Sequence, residues 1–278
     1  MSRCIDDVDL DILIKNCCIL GKNGDTTFTF DIIGVHNPVN NFLILGCVYM
    51  LIMGASSLYL KPPVLKDASG KVTKVLHGAT ANEALKTWQF ASLWWIFFVN
   101  ITCGIGLLAV ASPMAQEVIG MDAAAAASMV GIIGVFNGGG RIVWSTISDY
   151  LGRGRVYMLF FLLEVLAFWQ LGQTKEAFLF EALVLLIISC YGGGFSCMPA
   201  YLSDIFGTRQ LSAIHGRILT AWGLAGVAGP SLVSYFHAQT VGYTASLYFF
   251  AACFVLNFII AAVLKQYGQR RKETRTAL

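Results

Sequence analysis

The sequence predicts an all-α fold, a polytopic bundle of transmembrane helices. Of its 278 residues, 56% are hydrophobic and 13% are charged, whereas about 25% of a soluble domain is charged. Apolar stretches of about 20 residues recur along the chain, and each is long enough to cross a hydrocarbon core about 30 Å thick. These two observations predict an integral, multi-pass membrane protein.

The apolar and polar stretches divide the chain into five segments. We interpret them as a polar extramembrane segment, a first transmembrane helix, a polar loop rich in lysine, a six-helix transmembrane bundle and a basic tail. Their predicted bounds are residues 1–40, 41–60, 61–87, 88–264 and 265–278. Residues 1–40 show no sustained helical or strand periodicity, so we expect this segment to be poorly structured.

The predicted spans begin and end at residues typical of a membrane interface. The first ends at Lys61-Pro62-Pro63, because proline cannot continue a helix and lysine favours the headgroups. Trp88, Trp94 and Trp95 anchor the start of the second, since tryptophan is enriched at that depth. The predicted spans of the bundle are residues 88–112, 123–147, 155–172, 177–202, 212–236 and 245–264.

Lysine and arginine are distributed unequally between the two sides of the predicted bundle. The loops of one side and the C-terminal tail contain fourteen of them, whereas the loops of the other side contain Lys175 alone. Since cytoplasmic loops are enriched in positive charge, we expect the C-terminus in the cytoplasm and take the plasma membrane as the default. The tail Arg270–Lys272 then suits anionic lipid better than nucleic acid.

No residue pattern indicates an enzyme. The sequence has no paired carboxylates flanking a pocket, no Ser/His/Asp set and no phosphate-binding loop, and its cysteines and histidines lack zinc spacing. We therefore expect no catalytic residue, no metal and no cofactor. Cysteines within the spans, such as Cys103 and Cys190, serve as small hydrophobic residues.

Arg141 lies within an apolar span, where a cation costs roughly 2.5–3.5 kcal/mol on insertion scales. An intramembrane cation is a candidate functional residue by default. Two alternatives stay open: the side chain could reach the nearby interface, or it could pair with Asp149 two turns later. Asn137 lies four residues earlier on the same helical face, which favours a joint role.

Glycines cluster within three spans, at residues 138–140, 192–194 and 223–229. Small residues let helix backbones approach closely in lipid, and glycine also permits bends that open a cavity. Close packing and a hinge are both open as explanations.

The run Ser145–Gly154, STISDYLGRG, resembles the loop motif of the major facilitator superfamily, Gly-x-x-x-Asp-Arg/Lys-x-Gly-Arg-Arg/Lys. Asp149, Gly152 and Arg153 match it, and Arg155 supplies a late cation, although the middle cation of the motif is absent. The resemblance implies that these four residues form a conformational-switch motif, whose basic residues hold neighbouring helices in one transport state.

Within that superfamily the chain is similar to the oxalate/formate antiporter family. Three segments carry the resemblance: LGCVYMLIMGASSLYLKPP at 45–63, NGGGR at 137–141 and ILTAWGLAGVAGP at 218–230. It covers about residues 42–264 and implies helices 6 to 12 of a twelve-helix carrier. We therefore expect an incomplete or half-size secondary transporter, with a cavity completed by a second half or a homodimer partner.

The resemblance also implies a binding site for a small carboxylate anion. Its cation corresponds to Arg141, and Asn137, Trp222, Tyr191 and Asn100 lie on helices that line the cavity in the resembled fold. Oxalate-carrying members have a lysine where this chain has Trp222. One arginine suits one carboxylate, whereas a dianion needs two cations. We thus predict alternating-access transport of a monocarboxylate such as formate, lactate or pyruvate; interhelical hydrogen bonding is the alternative role for the other four residues.

Glu164 lies in the middle of the span 155–172 and is a candidate site for a coupled proton. A neutral carboxyl paired within the bundle is the alternative. For the chain as a whole, the second hypothesis is a non-transporting truncated membrane protein or an interaction subunit, which would bind partners without carrying any flux.

Overall fold

The computed structural model describes residues 38–59, 78–240 and 242–276, and this part of the chain is helical apart from short connections and one isolated bridge between Gly78 and Gly207. The predicted all-α class is confirmed. The helices are α1 (Pro38–Tyr59), α2 (Ala81–Leu85), α3 (Trp88–Glu117), α4 (Ala123–Leu151), α5 (Arg153–Leu171), α6 (Ala177–Phe206), α7 (Leu211–Ile218), α8 (Thr220–Gln239) and α9 (Thr244–Thr276).

Helix α1 belongs to a first unit of the chain, residues 1–74, and the other helices belong to a second, residues 75–278. The apolar part of α1 runs from Leu43 to Tyr59. The predicted stop at Lys61-Pro62-Pro63 lies outside the described residues. Most of the predicted extramembrane segment and lysine-rich loop, at residues 1–37 and 60–77, lies outside the described residues.

Within the described part of the second unit, six segments are long and apolar enough to cross a membrane. They are Trp88–Glu117, Ala123–Leu151, Arg153–Leu171, Ala177–Phe206, Leu211–Gln239 and Thr244–Tyr267. The protein is therefore an integral, multi-pass membrane protein, as the composition predicts. Helix α9 continues to Thr276, so most of the predicted basic tail extends the last helix.

The fifth of these spans is divided into α7 and α8 at Leu219. The Trp222 amide donates to the Leu219 carbonyl at 3.0 Å, a tighter turn than the α-helical pattern. The Thr220 hydroxyl donates to the Arg217 carbonyl at 2.7 Å. Such a bond from a threonine to the preceding turn bends a helix. An apolar pattern does not reveal this local bonding, so the pattern alone predicts one continuous span.

Contacts between helix ends define two ends of the bundle. At one, which we call the basic end, Trp88 at the start of α3 packs edge-on against Tyr267 of α9, with ring centroids 5.3 Å apart. At the opposite end, the Tyr243 hydroxyl donates to Glu117 Oε2 at 3.1 Å. Burial and the adjacent Glu117 carboxylate raise the pKa of Tyr243 to about 12.

The described lysines and arginines outside the middle of the bundle are distributed as the sequence predicts. Lys175 lies at the end opposite the basic end. The cations of the basic end, by position in the helices and their connections, are Lys86, Arg153, Arg155, Arg209, Arg217 and Lys265.

The interior of the second unit is formed by pairs of closely packed helices: α4 with α6, α3 with α8, and α5 with α9. Aromatic rings of α5 and α9 form much of the core, as in the stacked Phe168 and Phe254. Helices α4 and α8 leave apolar side chains such as Ile142 and Val227 uncovered by the other helices of this unit. In a membrane protein, such faces contact lipid or another domain.

Helix α2 is held against the connection between α6 and α7. Its first residue donates a backbone N–H to Gln210 Oε1 at 2.8 Å, and the Ala79 amide donates to the Phe206 carbonyl at 2.8 Å. Thr80 and Glu83 form a capping box at its start. The hydrogen bonds from Thr80 keep the pKa of the Glu83 carboxyl below its ordinary value.

Candidate functional site

Arg141 lies well inside α4, eighteen residues after its first residue, Ala123. It precedes the last residue of α4, Leu151, by ten residues, which is about 15 Å of helix. Helix α4, at 29 residues, is longer than a hydrocarbon core about 30 Å thick, so the alternative that the Arg141 side chain reaches the interface stays open.

The Arg141 guanidinium contacts an amide and an aromatic ring. Its Nε donates to Asn137 Oδ1 at 3.4 Å, one turn earlier on α4. Its Cζ lies 5.3 Å from the centroid of the Phe195 ring, within the range of a cation–π interaction. Among the residues that the structure describes, no carboxylate lies within 4.0 Å of this guanidinium. Asp149, the alternative partner considered from the sequence, binds Arg153 instead.

Phe195 joins the side chains that the sequence singles out on two other helices. Its ring packs edge-on against Tyr191, one turn earlier on α6, at 5.4 Å between centroids. It also packs edge-on against Trp222 of α8 at 5.8 Å. We call Tyr191, Phe195 and Trp222 the aromatic cluster. Half of the Trp222 surface is exposed, whereas Tyr191 is buried.

Phe195 and Trp222 lie at similar distances from the basic end, measured along their own helices. Phe195 precedes the end of α6 at Phe206 by eleven residues, and Trp222 follows the start of α7 at Leu211 by eleven. Both intervals correspond to about 17 Å of helix from the basic end. Arg141, Phe195 and Trp222 therefore lie at similar depths, about 15–17 Å along their helices from the basic end.

Glycines allow the close approach of α4 and α6 that sets this geometry. A Cβ at Gly140 would lie 2.8 Å from Ser189 Cα, and one at Gly192 would lie 2.9 Å from Asn137 Oδ1. The Ser196 hydroxyl, beside Phe195, is 3.0 Å from the Arg141 carbonyl oxygen and can donate to it. Gly140 and Gly192 thus allow close packing at this level, which is the packing explanation offered by the sequence.

Asn100 and Glu164 form a separate polar pair inside the bundle. Asn100 Nδ2 donates to Glu164 Oε1 at 3.2 Å, and the two residues are 0% and 1% exposed. No lysine, arginine or histidine in the described ranges lies within 4.0 Å of the Glu164 carboxyl. An unpaired carboxylate is costly in such surroundings, so the geometry suits a neutral carboxyl.

Helix α6 separates the buried pair from the aromatic cluster. A Cβ at Gly194 would lie 2.6 Å from Asn100 Oδ1, while the next residue, Phe195, lies beneath Arg141. The structure therefore brings Asn137, Tyr191 and Trp222 around Arg141 through Phe195, and it brings Asn100 to Glu164. A contact between Asn100 and a ligand stays a prediction.

The residues of the predicted conformational-switch motif meet at the basic end. Arg153, the first residue of α5, contacts Asp149 of α4 in an ion pair, and its Nε lies 3.8 Å from Asp204 Oδ2 of α6. Gly152 has a φ of +86°, which a glycine adopts readily at a sharp connection. Arg155 Nη1 makes a long bond of 3.5 Å to the Leu151 carbonyl. Arg153 thus joins three helices, and a role in switching stays a prediction.

The sequence analysis did not single out Phe195 or Ser196, although Phe195 follows Tyr191 by four residues and shares its helical face. With them, the site consists of one cation, one amide and an aromatic wall. Such a set can bind one anionic group through charge-assisted hydrogen bonds and cover a small apolar body.

Comparison with protein families gives one match that covers most of the chain. The model of the Major Facilitator Superfamily matches residues 27–230 and 141–277. The matched ranges include Arg141, the aromatic cluster, the buried pair and the residues around Arg153.

Three curated proteins are similar to the chain. The oxalate:formate antiporter of Oxalobacter formigenes is 28% identical over 68% of this chain and 45% of its own length. An uncharacterized transporter of the same superfamily from Escherichia coli is 25% identical over 67% and 46%. The apicoplast pyruvate carrier 1 of Toxoplasma gondii is 27% identical over 59% and 31%. The chain thus spans less than half the length of each relative, and these relatives are carriers rather than enzymes.

Proposed function

The chain belongs to the Major Facilitator Superfamily, and on that premise we propose that it is the part of a secondary transporter that binds a small monocarboxylate. In this proposal Arg141 binds the carboxylate, Asn137 orients the guanidinium, and the aromatic cluster covers the apolar part of the ligand. Transport proceeds by alternating access, in which two halves move about a central site.

The observation that carries the proposal is the set of groups around Arg141. The guanidinium lies within the α4 span and, within the described ranges, has neutral neighbours. Its side chain is exposed in the described part of the second unit and is therefore open to a ligand. Inside a membrane a cation without an anion is costly, and a bound anion would offset that cost. The planar fork of arginine suits one carboxylate, held by two parallel hydrogen bonds.

The single cation of the site favours a ligand with one carboxylate over a ligand with two. Trp222 contributes an apolar surface and one N–H to the cluster, and it carries no charge. A dianion would keep one carboxylate without a cation, at a cost of several kcal/mol. The names of two relatives, an oxalate:formate antiporter and a pyruvate carrier, support small carboxylates as the substrate class.

A second half is part of the proposal. The chain corresponds to less than half the length of the relatives that it matches, and α4 and α8 carry apolar faces that the rest of the second unit leaves uncovered. We propose that a second transporter half, or a second copy of the chain, packs on these faces. The same faces favour the other hypothesis, an interaction subunit that binds partners without transport.

Proton coupling is a further part of the proposal, with Glu164 as the proton site. Its carboxyl has an amide as its hydrogen-bonding partner, and Asn100 Oδ1 has no donor among the described residues. A protonated carboxyl can supply that donor, so binding of a proton would complete the pair. Uptake by a complete carrier with Glu164→Gln should then lose its dependence on pH, whereas retained dependence would exclude this role.

The proposed orientation has the basic end, and with it the C-terminus, in the cytoplasm of a cell whose plasma membrane holds the protein. Its support is the concentration of described cations at that end. Anionic lipid of the cytoplasmic leaflet would contact the same residues. Accessibility of a tag after Leu278 in sealed cells tests it, since labelling without permeabilisation would reverse the assignment.

The test of the substrate is equilibrium binding of labelled lactate, pyruvate, formate and oxalate to the chain in lipid nanodiscs. We expect Arg141→Gln to weaken lactate binding by about tenfold or more, because a charge-assisted bidentate pair is lost. Arg155→Gln, which alters an exposed arginine of the same bundle, is the matched control. Equal affinity for oxalate and lactate would contradict the monocarboxylate assignment.

Flux needs a separate measurement, because binding does not establish transport. The chain can replace the matching part of the Oxalobacter formigenes antiporter, and uptake of labelled lactate into proteoliposomes can then be compared with uptake by the chain alone. The proposal expects uptake by the chimera that Arg141→Gln abolishes. Lactate binding by the chain together with a folded chimera that carries no flux would favour the interaction-subunit hypothesis.

A further inference from the structure

A groove opens between α3 and α8 on the basic side of the aromatic cluster. Its volume is ≈ 670 Å³, and its wall includes Phe90, Trp94 and Trp95 of α3, with Arg217 of α7 and Thr220 of α8. A cation beside exposed indole rings is suited to a ligand with one charged and one apolar end. The site around Arg141 does not include any of these residues.

Arg217 has no anionic partner in the part of the chain that the structure describes. Its Nη2 donates to the neutral oxygen Oδ1 of Asn82 at 2.8 Å, and no carboxylate lies within 4.0 Å. Its Nη1 is buried and has no acceptor. The nearby carboxylate of Glu83 accepts from the Thr80 amide at 2.8 Å in the capping box. A buried donor of a charged group without an acceptor is destabilising, so an anion at this position would stabilise the site.

The other polar groups of the groove are bonded to one another. Trp94 Nε1 donates to Thr220 Oγ1 at 3.0 Å, and Thr220 Oγ1 donates to the Arg217 carbonyl at 2.7 Å. These bonds hold the indole of Trp94 beside the arginine. The same ring stacks on Phe98, one turn further along α3, with centroids 5.3 Å apart and planes at 9°. The groove thus combines one incompletely bonded cation with a rigid aromatic wall.

The groove lies on the helix pair that leads to the aromatic cluster. Arg217 precedes Trp222 by five residues, which is about 7.5 Å of helix. Trp222 contacts Phe195, and Phe195 contacts Arg141. An anion entering from the basic end would therefore meet Arg217 before it meets Arg141.

We propose that this groove is a second anion site, which receives a singly charged oxyanion with a short apolar body at the basic end before it reaches Arg141. The role as an outer site of the transport path rests on the proposed function; anion binding by Arg217 does not. A free carboxylate and the phosphate of an anionic lipid share this chemistry, and the experiment separates them.

The experiment measures equilibrium binding of labelled lactate to the full chain in phosphatidylcholine nanodiscs. We expect Arg141→Gln to leave a weaker binding phase, and Arg141→Gln combined with Arg217→Gln to weaken that phase by about fivefold or more. Arg141→Gln combined with Arg209→Gln is the matched control, because Arg209 is an exposed arginine of the same end. Asn82→Ala, added to Arg141→Gln, removes the bond to α2 and keeps the cation, so it should retain the phase.

A second measurement, with an anionic lipid, tests whether a lipid phosphate is the anion in the groove. If a lipid phosphate occupies the groove, phosphatidylglycerol should raise the thermal midpoint of the wild-type chain over that in phosphatidylcholine, and Arg217→Gln should abolish the rise. The proposal is overturned if Arg217→Gln and Arg209→Gln act alike in both arms. An Arg217-dependent phase together with an inert Arg141→Gln would instead contradict the proposed function and leave this site standing.

Discussion

The guanidinium of Arg141 lies over the face of Phe195, with Cζ 5.3 Å from the ring centroid, while its Nε bonds to Asn137. The ring and the amide are both neutral, so they orient the cation without neutralising it. The four N–H groups on Nη1 and Nη2 make no hydrogen bond to the described residues. This pair of contacts explains how a cation can be held in a fixed direction within a membrane-spanning helix and still be able to bind an anion.

Replacing Phe195 by leucine should weaken ligand binding while keeping the fold. A cation–π contact contributes about 0.5–2 kcal/mol, so we expect the Kd for lactate to rise by about 2- to 30-fold. Phe178→Leu is the control, because this ring is on the same helix and 77% exposed. Binding by the nanodisc-embedded chain measures both variants, and equal Kd values would show that Phe195 does not orient the cation.

A matched pair of alanine substitutions can distinguish a glycine of α6 that is required for close packing from a glycine of α4 that is not. A Cβ at Gly192 would lie 2.9 Å from Asn137 Oδ1 and closer still to its carbonyl, whereas one at Gly138 would meet nothing within 4 Å. Overpacking costs about 1–3 kcal/mol. We therefore expect Gly192→Ala to lower both the thermal midpoint and lactate affinity of the chain.

Gly138→Ala should leave the thermal midpoint unchanged or slightly raised, because alanine favours a helix over glycine. If both variants lose the same stability, close contact with Asn137 is not the reason for the glycine at 192.

Much of the fold follows from the sequence because membrane spans are long and apolar, and because Lys and Arg mark one end of the bundle. The pairing of Asn137 with Arg141 is also readable, since both residues lie on one helix four residues apart. Positions along a helix give the depth of each side chain, and Trp222, eleven residues after the start of α7, lies at a depth similar to that of Arg141.

The rotation of one helix against another is not encoded in such local patterns. Asn100 has the same approximate depth as Arg141, yet the rotation of α3 brings its amide to Glu164 of α5 rather than to Arg141. Phe195 looks like any core aromatic residue until α4 places a cation above it. Tertiary packing decides both cases, which is why the sequence analysis associated Asn100 with the ligand and did not identify Phe195.

Replacing one partner of the buried pair, Asn100 and Glu164, should lower the free energy of unfolding more than replacing both. Asn100→Leu leaves the buried Glu164 carboxyl without the donor that it has at 3.2 Å, so we expect a loss of about 1–3 kcal/mol in the free energy of unfolding. Asn100→Leu combined with Glu164→Leu should recover part of it, since apolar replacement of both partners is nearly neutral. Ser128→Ala, at an exposed position of α4, is the control in a detergent-denaturation series.

Arg153 should contribute a modest, salt-dependent stabilisation. Its partners Asp149 and Asp204 are 65% and 60% exposed, and exposed ion pairs contribute about 0.2–1 kcal/mol each. Arg153→Gln should therefore lower the free energy of unfolding by up to about 1 kcal/mol at low salt, with a smaller effect at high salt. Arg155→Gln should have no measurable effect, and an equal loss in both variants would exclude a specific role for the ion pairs.

Tyr243 gives a prediction at alkaline pH. Burial first, and then the charge and hydrogen bond of Glu117, raise its pKa from 10.0 to about 12. The folded chain therefore holds the proton more tightly than the unfolded chain does, so this group stabilises the fold below pH 10 and its contribution is lost as the pH rises from about 10 to about 12. We expect the wild-type chain to lose stability over this interval more steeply than Tyr243→Phe.

Near-ultraviolet absorbance can follow the same titration directly. The difference between wild type and Tyr243→Phe should show one tyrosine with a midpoint near 12. In Glu117→Gln the midpoint of Tyr243 should fall and stay above the ordinary value, since burial is the larger cause and persists. A midpoint unaffected by Glu117→Gln would mean that the contact between α3 and the start of α9 does not persist in the membrane.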